Sequence, residues 1–81
     1  MEKNLELLET VIATVDLRDE QVLKGDVGTI VEIYSSPRQA FEVEFVNPDG
    51  STRALLTLLP DQVRRLAPTD VITTRPLSVA A

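Results

Sequence analysis

The 81-residue chain has no cysteine, no histidine and no tryptophan. Without cysteine there is no disulfide, no thiolate nucleophile and no thiolate metal ligand. Without histidine, imidazole metal ligation and imidazole general-base chemistry go as well. Aromatic residues are down to Tyr34, Phe41 and Phe45, too few for the row of exposed rings that a base-stacking platform needs. No apolar run approaches the ~20 residues of a membrane-spanning helix, and the first residues, MEKNLELLE, are acidic, unlike a signal peptide. These absences point to a soluble, cytoplasmic protein that is not an enzyme and carries no cofactor, no metal and no membrane contact.

Positive charge is also scarce. Eight Lys and Arg stand against 13 Asp and Glu, a formal net charge of −5, and only Arg64 and Arg65 are adjacent. Phosphate backbones select the opposite sign, so nucleic acid is not an expected partner. What remains is ordinary globular material, 43% hydrophobic and 26% charged. A chain of this size forms one domain that hides only about 60–65% of its unfolded surface, so its core is thin.

Along the chain, Met1 to Glu9 suits either one helical turn or a strand extension. Thr10 to Val15 (TVIATV) is rich in β-branched residues and reads as a first strand. Asp16 to Asp26 is long for a hairpin loop, and Leu17, Val22 and Leu23 are its only apolar residues, so one or more of them must pin it to the core. Lys24-Gly25-Asp26 reads as a turn with positive φ at Gly25. Val27 to Tyr34 is the most strand-like stretch, and Gly28 within it marks a bulge or a close approach of another chain segment. After a turn at Pro37, Ala40 to Val46 alternates cleanly: Phe41, Val43 and Phe45 on one face, Glu42 and Glu44 on the other. Asn47-Pro48-Asp49-Gly50 is a tight reversal, and Ser51 to Leu59 returns as a fourth strand. Pro60 to Val63 suits one 3₁₀ turn, and Arg64 to Leu66 a short closing strand. Beyond Ala67 the periodicity dissolves.

Five short strands, a long first loop and a 3₁₀ turn before the last strand predict an all-β, SH3-like five-stranded antiparallel barrel over residues 1–66, with residues 67–81 as a C-terminal tail. An OB-fold is the rival, but the tight reversal at residues 47–50 leaves no room for its helix. The expected core is Val11, Ala13, Val27, Ile30, Ile33, Phe41, Val43, Phe45, Leu56, Leu58, Val63 and Leu66. Ile30 and Ile33 are three apart, so both face inward only if the second strand bulges or bends. In the tail, Val71, Ile72, Leu77 and Val79 are apolar handles, expected to add a strand or to lie across Leu55 and Leu59.

Val22 to Ile33 (VLKGDVGTIVEI), Phe41 to Phe45 (FEVEF), Asp49-Gly50, Ala54-Leu55, Leu58 and Asp61 to Arg64 (DQVR) together resemble the DUF4926 family of small prokaryotic proteins. The resemblance spans about Leu5 to Leu66 and implies an SH3-like domain without implying an activity. The Gly25 to Val31 stretch is also similar to the KOW element of ribosomal and transcription-elongation proteins, but without the basic loop around it.

Gly25-Asp26-Val27-Gly28 is not a phosphate cradle, because a strand follows where a helix N-terminus is needed. Asp49 beside Ser51, Thr52 and Arg53 lacks the oriented base a nucleophilic serine requires. Arg64-Arg65 makes a small basic spot suited to pairing with Asp61 or with a partner's carboxylate. Tyr34 alone is too little aromatic surface for a polyproline groove. Glu32, Glu42 and Glu44 on the outside of strands two and three, with Leu55 and Leu59 on strand four, are the candidate partner-binding residues. The expected role is a non-catalytic protein–protein interaction module, bound to a protein partner or to a second copy. An antitoxin- or immunity-like neutralising subunit and a KOW-type RNA-binding module are the alternatives. With no basic stripe, no RNA or DNA should bind with submicromolar affinity at about 150 mM salt; filter binding or fluorescence anisotropy checks this, and tight binding would promote the KOW alternative.

Overall fold

The computed structural model describes residues 4–77. Five strands form one antiparallel sheet: β1 (Thr10–Ala13), β2 (Val27–Tyr34), β3 (Ala40–Val46), β4 (Thr52–Leu58) and β5 (Val63–Arg65). Two 3₁₀ turns, Arg18–Glu20 and Pro60–Gln62, are the helical elements among the described residues, and no helix there is long and apolar enough to cross a membrane. The order across the sheet is β4-β3-β2-β1-β5. The all-β class and the antiparallel pairing are as expected, but the barrel is not closed. β5 is three residues long and pairs with Val11–Ala13 of β1, which leaves β4 as the other edge. Closure needs a continuous hydrogen-bonded seam between the outermost strands, and this order has none.

The alternation in β3 sets the register. Phe41, Val43 and Phe45 are fully buried, opposite Leu58, Leu56 and Ala54 of β4. β2 must serve two neighbours, and its pairing with β3 shifts between Ile30 and Glu32, leaving Val31 as a bulge. The bulge brings Ile30 into the core and Ile33 against it although they are three apart. Gly28 is the close approach: a Cβ there would stand 2.6 Å from Val43 Cγ1, 2.9 Å from Phe45 Cε1 and 3.0 Å from the Glu44 carbonyl.

The core departs from expectation at its margins. Val27, Ile33, Leu56 and Leu66 are half-buried, whereas Leu5 and Ala54 join the buried cluster, as does Val22, one of the three residues expected to pin the long loop. Val22 pins the long loop: Leu17 and Val22 form an isolated antiparallel bridge around the first 3₁₀ turn, with Gln21 at φ 60°. Gly25, at φ 97°, donates its N–H to the Ala13 carbonyl, and Ala13 donates to the Asp26 carbonyl, so the loop closes back on β1. Leu5 enters from the N-terminal segment, where the Leu8 N–H donates to the Ile30 carbonyl at 2.7 Å and Ile30 N–H to Glu9 at 3.0 Å. The second 3₁₀ turn starts at Pro60, and the Gln62 side chain accepts the Leu59 N–H at 2.8 Å.

The described part of the tail adds no strand. It runs past Asp26, Val27 and Val46, while Leu55 and Leu59 remain 53% and 36% exposed. Val79 lies outside the described residues. Because Gly28 faces a β-branched side chain, a ring edge and a backbone oxygen, a methyl group there cannot be accommodated by moving one flexible tip. Gly28→Ala should destabilise the fold by about 1–3 kcal/mol; an unchanged urea midpoint would show that β2 and β3 are not this tightly apposed.

Candidate functional site

The outer face of β2, β3 and β4 gathers the residues singled out in the sequence. Glu32 stands directly opposite Glu42, which stands opposite Thr57; Glu44 lies between Thr29 and Leu55. The two-residue side-chain period puts these on the face away from Phe41, Val43 and Phe45. Like charges directly opposite one another on a sheet are unfavourable, so what holds them is informative. Thr57 Oγ1 donates to Glu42 Oε1 at 2.7 Å, and Tyr34 Oη reaches the same oxygen at 3.4 Å. Thr52 Oγ1 donates to Glu44 Oε2 at 2.5 Å, and Glu32 Oε1 accepts the Ile33 N–H at 3.1 Å. Each carboxylate is thus steadied by a neutral donor, and among the described residues none pairs with a cation. Partial desolvation, with the nearby charges of Glu42 and Glu32 and the hydrogen bond to Glu42, raises the Tyr34 pKa. Tyr34 is 41% exposed and, with Leu55 opposite Glu44, supplies apolar surface to this face, whereas Leu59 lies one residue past β4, at the start of the second 3₁₀ turn rather than on the strand.

These carboxylates spread along strands rather than converge. Among the described residues no group of three or more His, Cys, Asp or Glu is placed to hold a metal ion. At the β3–β4 reversal, the Ser51 hydroxyl and N–H both donate to Asp49 Oδ1, at 2.7 and 2.9 Å, and the hydroxyl accepts from Asn47 Nδ2 at 3.1 Å. Ser51 and Asp49 build the turn, with Gly50 at φ 89°.

The basic spot at Arg64-Arg65 is divided between two acids, neither of them Asp61. Arg65 pairs with Glu9, and Arg64 forms a two-pronged pair with Asp70 at 2.8 and 3.0 Å. The Arg64 hydrogen bond, then the Ala67 N–H, hold Asp70 at a pKa of about 2.

Sequence reasoning missed the most buried ionic cluster. Asp26, whose side chain is 11% exposed, meets Arg53 at 3.3 Å and Arg75 at 2.6 Å. Desolvation pushes the Asp26 pKa up, but the Arg75 hydrogen bond, the Leu23 N–H and the two guanidinium charges outweigh it and leave it lowered. Arg53 and Arg75 are 27 and 49 positions away in sequence, so no local pattern announces the cluster.

This geometry defines a small all-β domain with one open antiparallel sheet, an acidic outer face and an ionic clasp at one end. The chain belongs to the DUF4926 family (domain of unknown function), whose model matches residues 7–65. No curated protein and no solved structure matches it.

A carboxyl group whose pKa falls on folding stabilises the fold above its unfolded value, about 3.9. That contribution is lost as pH falls through the folded value. The Arg64–Asp70 clasp at the root of the tail should therefore be intact above about pH 4 and open towards pH 2. Carboxyl-carbon NMR should give Asp70 a midpoint of about 2, raised in Arg64→Ala; an unmoved midpoint in that variant would remove Arg64 as the cause.

Proposed function

We propose that this domain is an SH3-like, non-catalytic protein-interaction module. Its outer β2–β3–β4 face receives a basic surface of a protein partner. The strand order, the long β1–β2 loop and the 3₁₀ turn before β5 support the fold assignment. The functional assignment rests on one observation: Glu32, Glu42 and Glu44 lie on one face, held by hydroxyl and amide donors and by no cation among the described residues, next to exposed Tyr34 and Leu55. Carboxylates held in place by neutral donors and bordered by apolar surface suit a partner carrying Arg or Lys around an apolar centre. A net charge of −5 adds long-range attraction for the same class of partner.

A neutralising subunit is the second reading, and the same carboxylates favour it, because a face of fixed negative charge can cap a basic active site. It differs in its consequence: binding then abolishes the partner's activity. The KOW-type RNA reading draws less support, since Arg64 and Arg65 are engaged by Asp70 and Glu9.

Affinity capture at about 150 mM salt, with wild type and Glu32→Lys/Glu44→Lys compared, tests the proposal. A basic protein should be enriched by wild type, reduced about tenfold or more by the double reversal, and released as salt is raised. A partner retained equally by the double variant, whose melting temperature should stay close to wild type, would remove the face from the proposal; recovery of nucleic acid instead would favour the RNA reading.

A further inference from the structure

The clasp at Asp26 shares no residue with the acidic face, and its chemistry is different. Asp26 accepts the Leu23 N–H at 3.0 Å and the Arg53 Nη2 at 3.3 Å. Arg53 is itself fixed by the fold: its Nε donates to the Gln21 carbonyl at 3.1 Å, its Nη1 donates to the Val46 carbonyl, and its side chain is 9% exposed. Arg75 arrives from outside the sheet. It donates Nε to Asp26 Oδ1 at 2.9 Å and Nη2 to Oδ2 at 2.6 Å, the two parallel bonds by which a guanidinium fork matches a carboxylate. Around it is an open cleft of about 580 Å³ with Val27, Val46 and Leu77 among its walls.

The tail that delivers Arg75 is held at two points. Its root is clasped by Arg64 on Asp70, with the Asp70 carboxylate also accepting the Ala67 N–H at 2.6 Å. Between root and tip, residues 71–77 make no backbone–backbone hydrogen bond among the described residues. Val71 and Ile72 are 83% and 61% exposed. A segment with little burial and no backbone ladder belongs to the low-stability end of a structure. The permanent part of the site is thus a mostly buried carboxylate oriented by Leu23 and Arg53, and its present occupant is attached chiefly through one side chain.

We propose that Asp26, in the frame set by Arg53, is a binding site for an arginine on an extended segment of a protein partner, and that Arg75 is its intramolecular placeholder. The tail shows the class of ligand that fits: a guanidinium on Asp26, followed two residues on by an apolar side chain in the cleft walled by Val27 and Val46, as Leu77 follows Arg75. A short tether presents Arg75 at an effective concentration on the order of millimolar. An incoming segment must therefore exceed the tail's own contacts, and the placeholder excludes weak cationic peptides while admitting a partner that engages further surface.

The probe is the tail itself. A fluorescent peptide of residues 71–77 (VITTRPL), followed by anisotropy, should bind the full chain carrying Arg75→Ala saturably, and wild type about tenfold more weakly because its site is filled. The same peptide with Ala for Arg should not bind. With Lys for Arg it should bind about tenfold less tightly, since an ammonium cannot form the fork. Asp26→Asn in the Arg75→Ala chain should lose the peptide; should that variant fail to fold, the Ala and Lys peptides still decide the matter. Absence of binding at millimolar peptide, or equal binding of the Ala peptide, overturns the proposal. A concentration-dependent dimer of wild type that Arg75→Ala abolishes would assign the site to the tail of a second copy and overturn the assignment to a partner.

Discussion

The bend in β2 is the constraint on which the rest of this structure depends. Eight residues must pair with β1 at one end and with β3 over most of their length. A flat strand with period-two alternation cannot turn both Ile30 and Ile33 inward. The bulge at Val31 resets the alternation, and Gly28 lets β3 approach to a distance that any Cβ would prevent. With those two adjustments one thin layer of side chains suffices: Phe41, Val43, Phe45 and Ile30 fill it, and Val11, Val22, Leu58 and Val63 close its ends. The open edges follow from the same economy of length, since the three residues of β5 complete β1 and leave β4 without a second neighbour.

Asp26 sits one residue before β2 and ties together segments far apart in sequence. Its carbonyl accepts the Ala13 N–H, and its carboxylate meets Leu23, Arg53 and Arg75. A mostly buried carboxylate is unfavourable alone, and two guanidinium groups with a backbone donor more than compensate in holding it ionised. The arrangement is asymmetric in a useful way. Arg53 has other acceptors, at the Gln21 and Val46 carbonyls, outside the tail; Arg75 has mainly this one.

Much of the sheet was legible because the signals are local. β2 and β3 have the expected limits, β4 and the second 3₁₀ turn nearly so, and the need for a bulge follows from two isoleucines spaced by three. The openness of the sheet was not legible, because whether β4 meets β5 depends on where three residues place their hydrogen bonds. Val22 was legible as one of three residues able to pin the long loop, whereas Leu5 entered the core from an N-terminal segment that packs by tertiary contact rather than by periodicity. On the candidate face, Glu32, Glu42 and Glu44 come together because alternation and hairpin register suffice to bring them there. The Asp26 cluster joins residues from a loop, a strand and the tail, and charge on a polar stretch carries no sign of a distant partner.

The two anionic sites differ in a way that bears on what each can recognise. On the outer face the carboxylates are exposed or half-buried and bonded to neutral donors, so their charge is projected into solvent. Screening limits such charges to a range of about 8–10 Å at physiological salt, which favours steering and orientation over tight grip. At Asp26 one carboxylate faces two guanidinium groups, so its negative charge is more than offset while Arg75 is bound. That site exerts little attraction at a distance and instead discriminates by shape, because a guanidinium alone supplies both bonds in the right plane. A basic partner drawn to the first by charge would meet the second as a test of geometry. On the proposed reading, the tail, rooted at Asp70 and anchored by Arg75, is the competitor such a partner would have to displace.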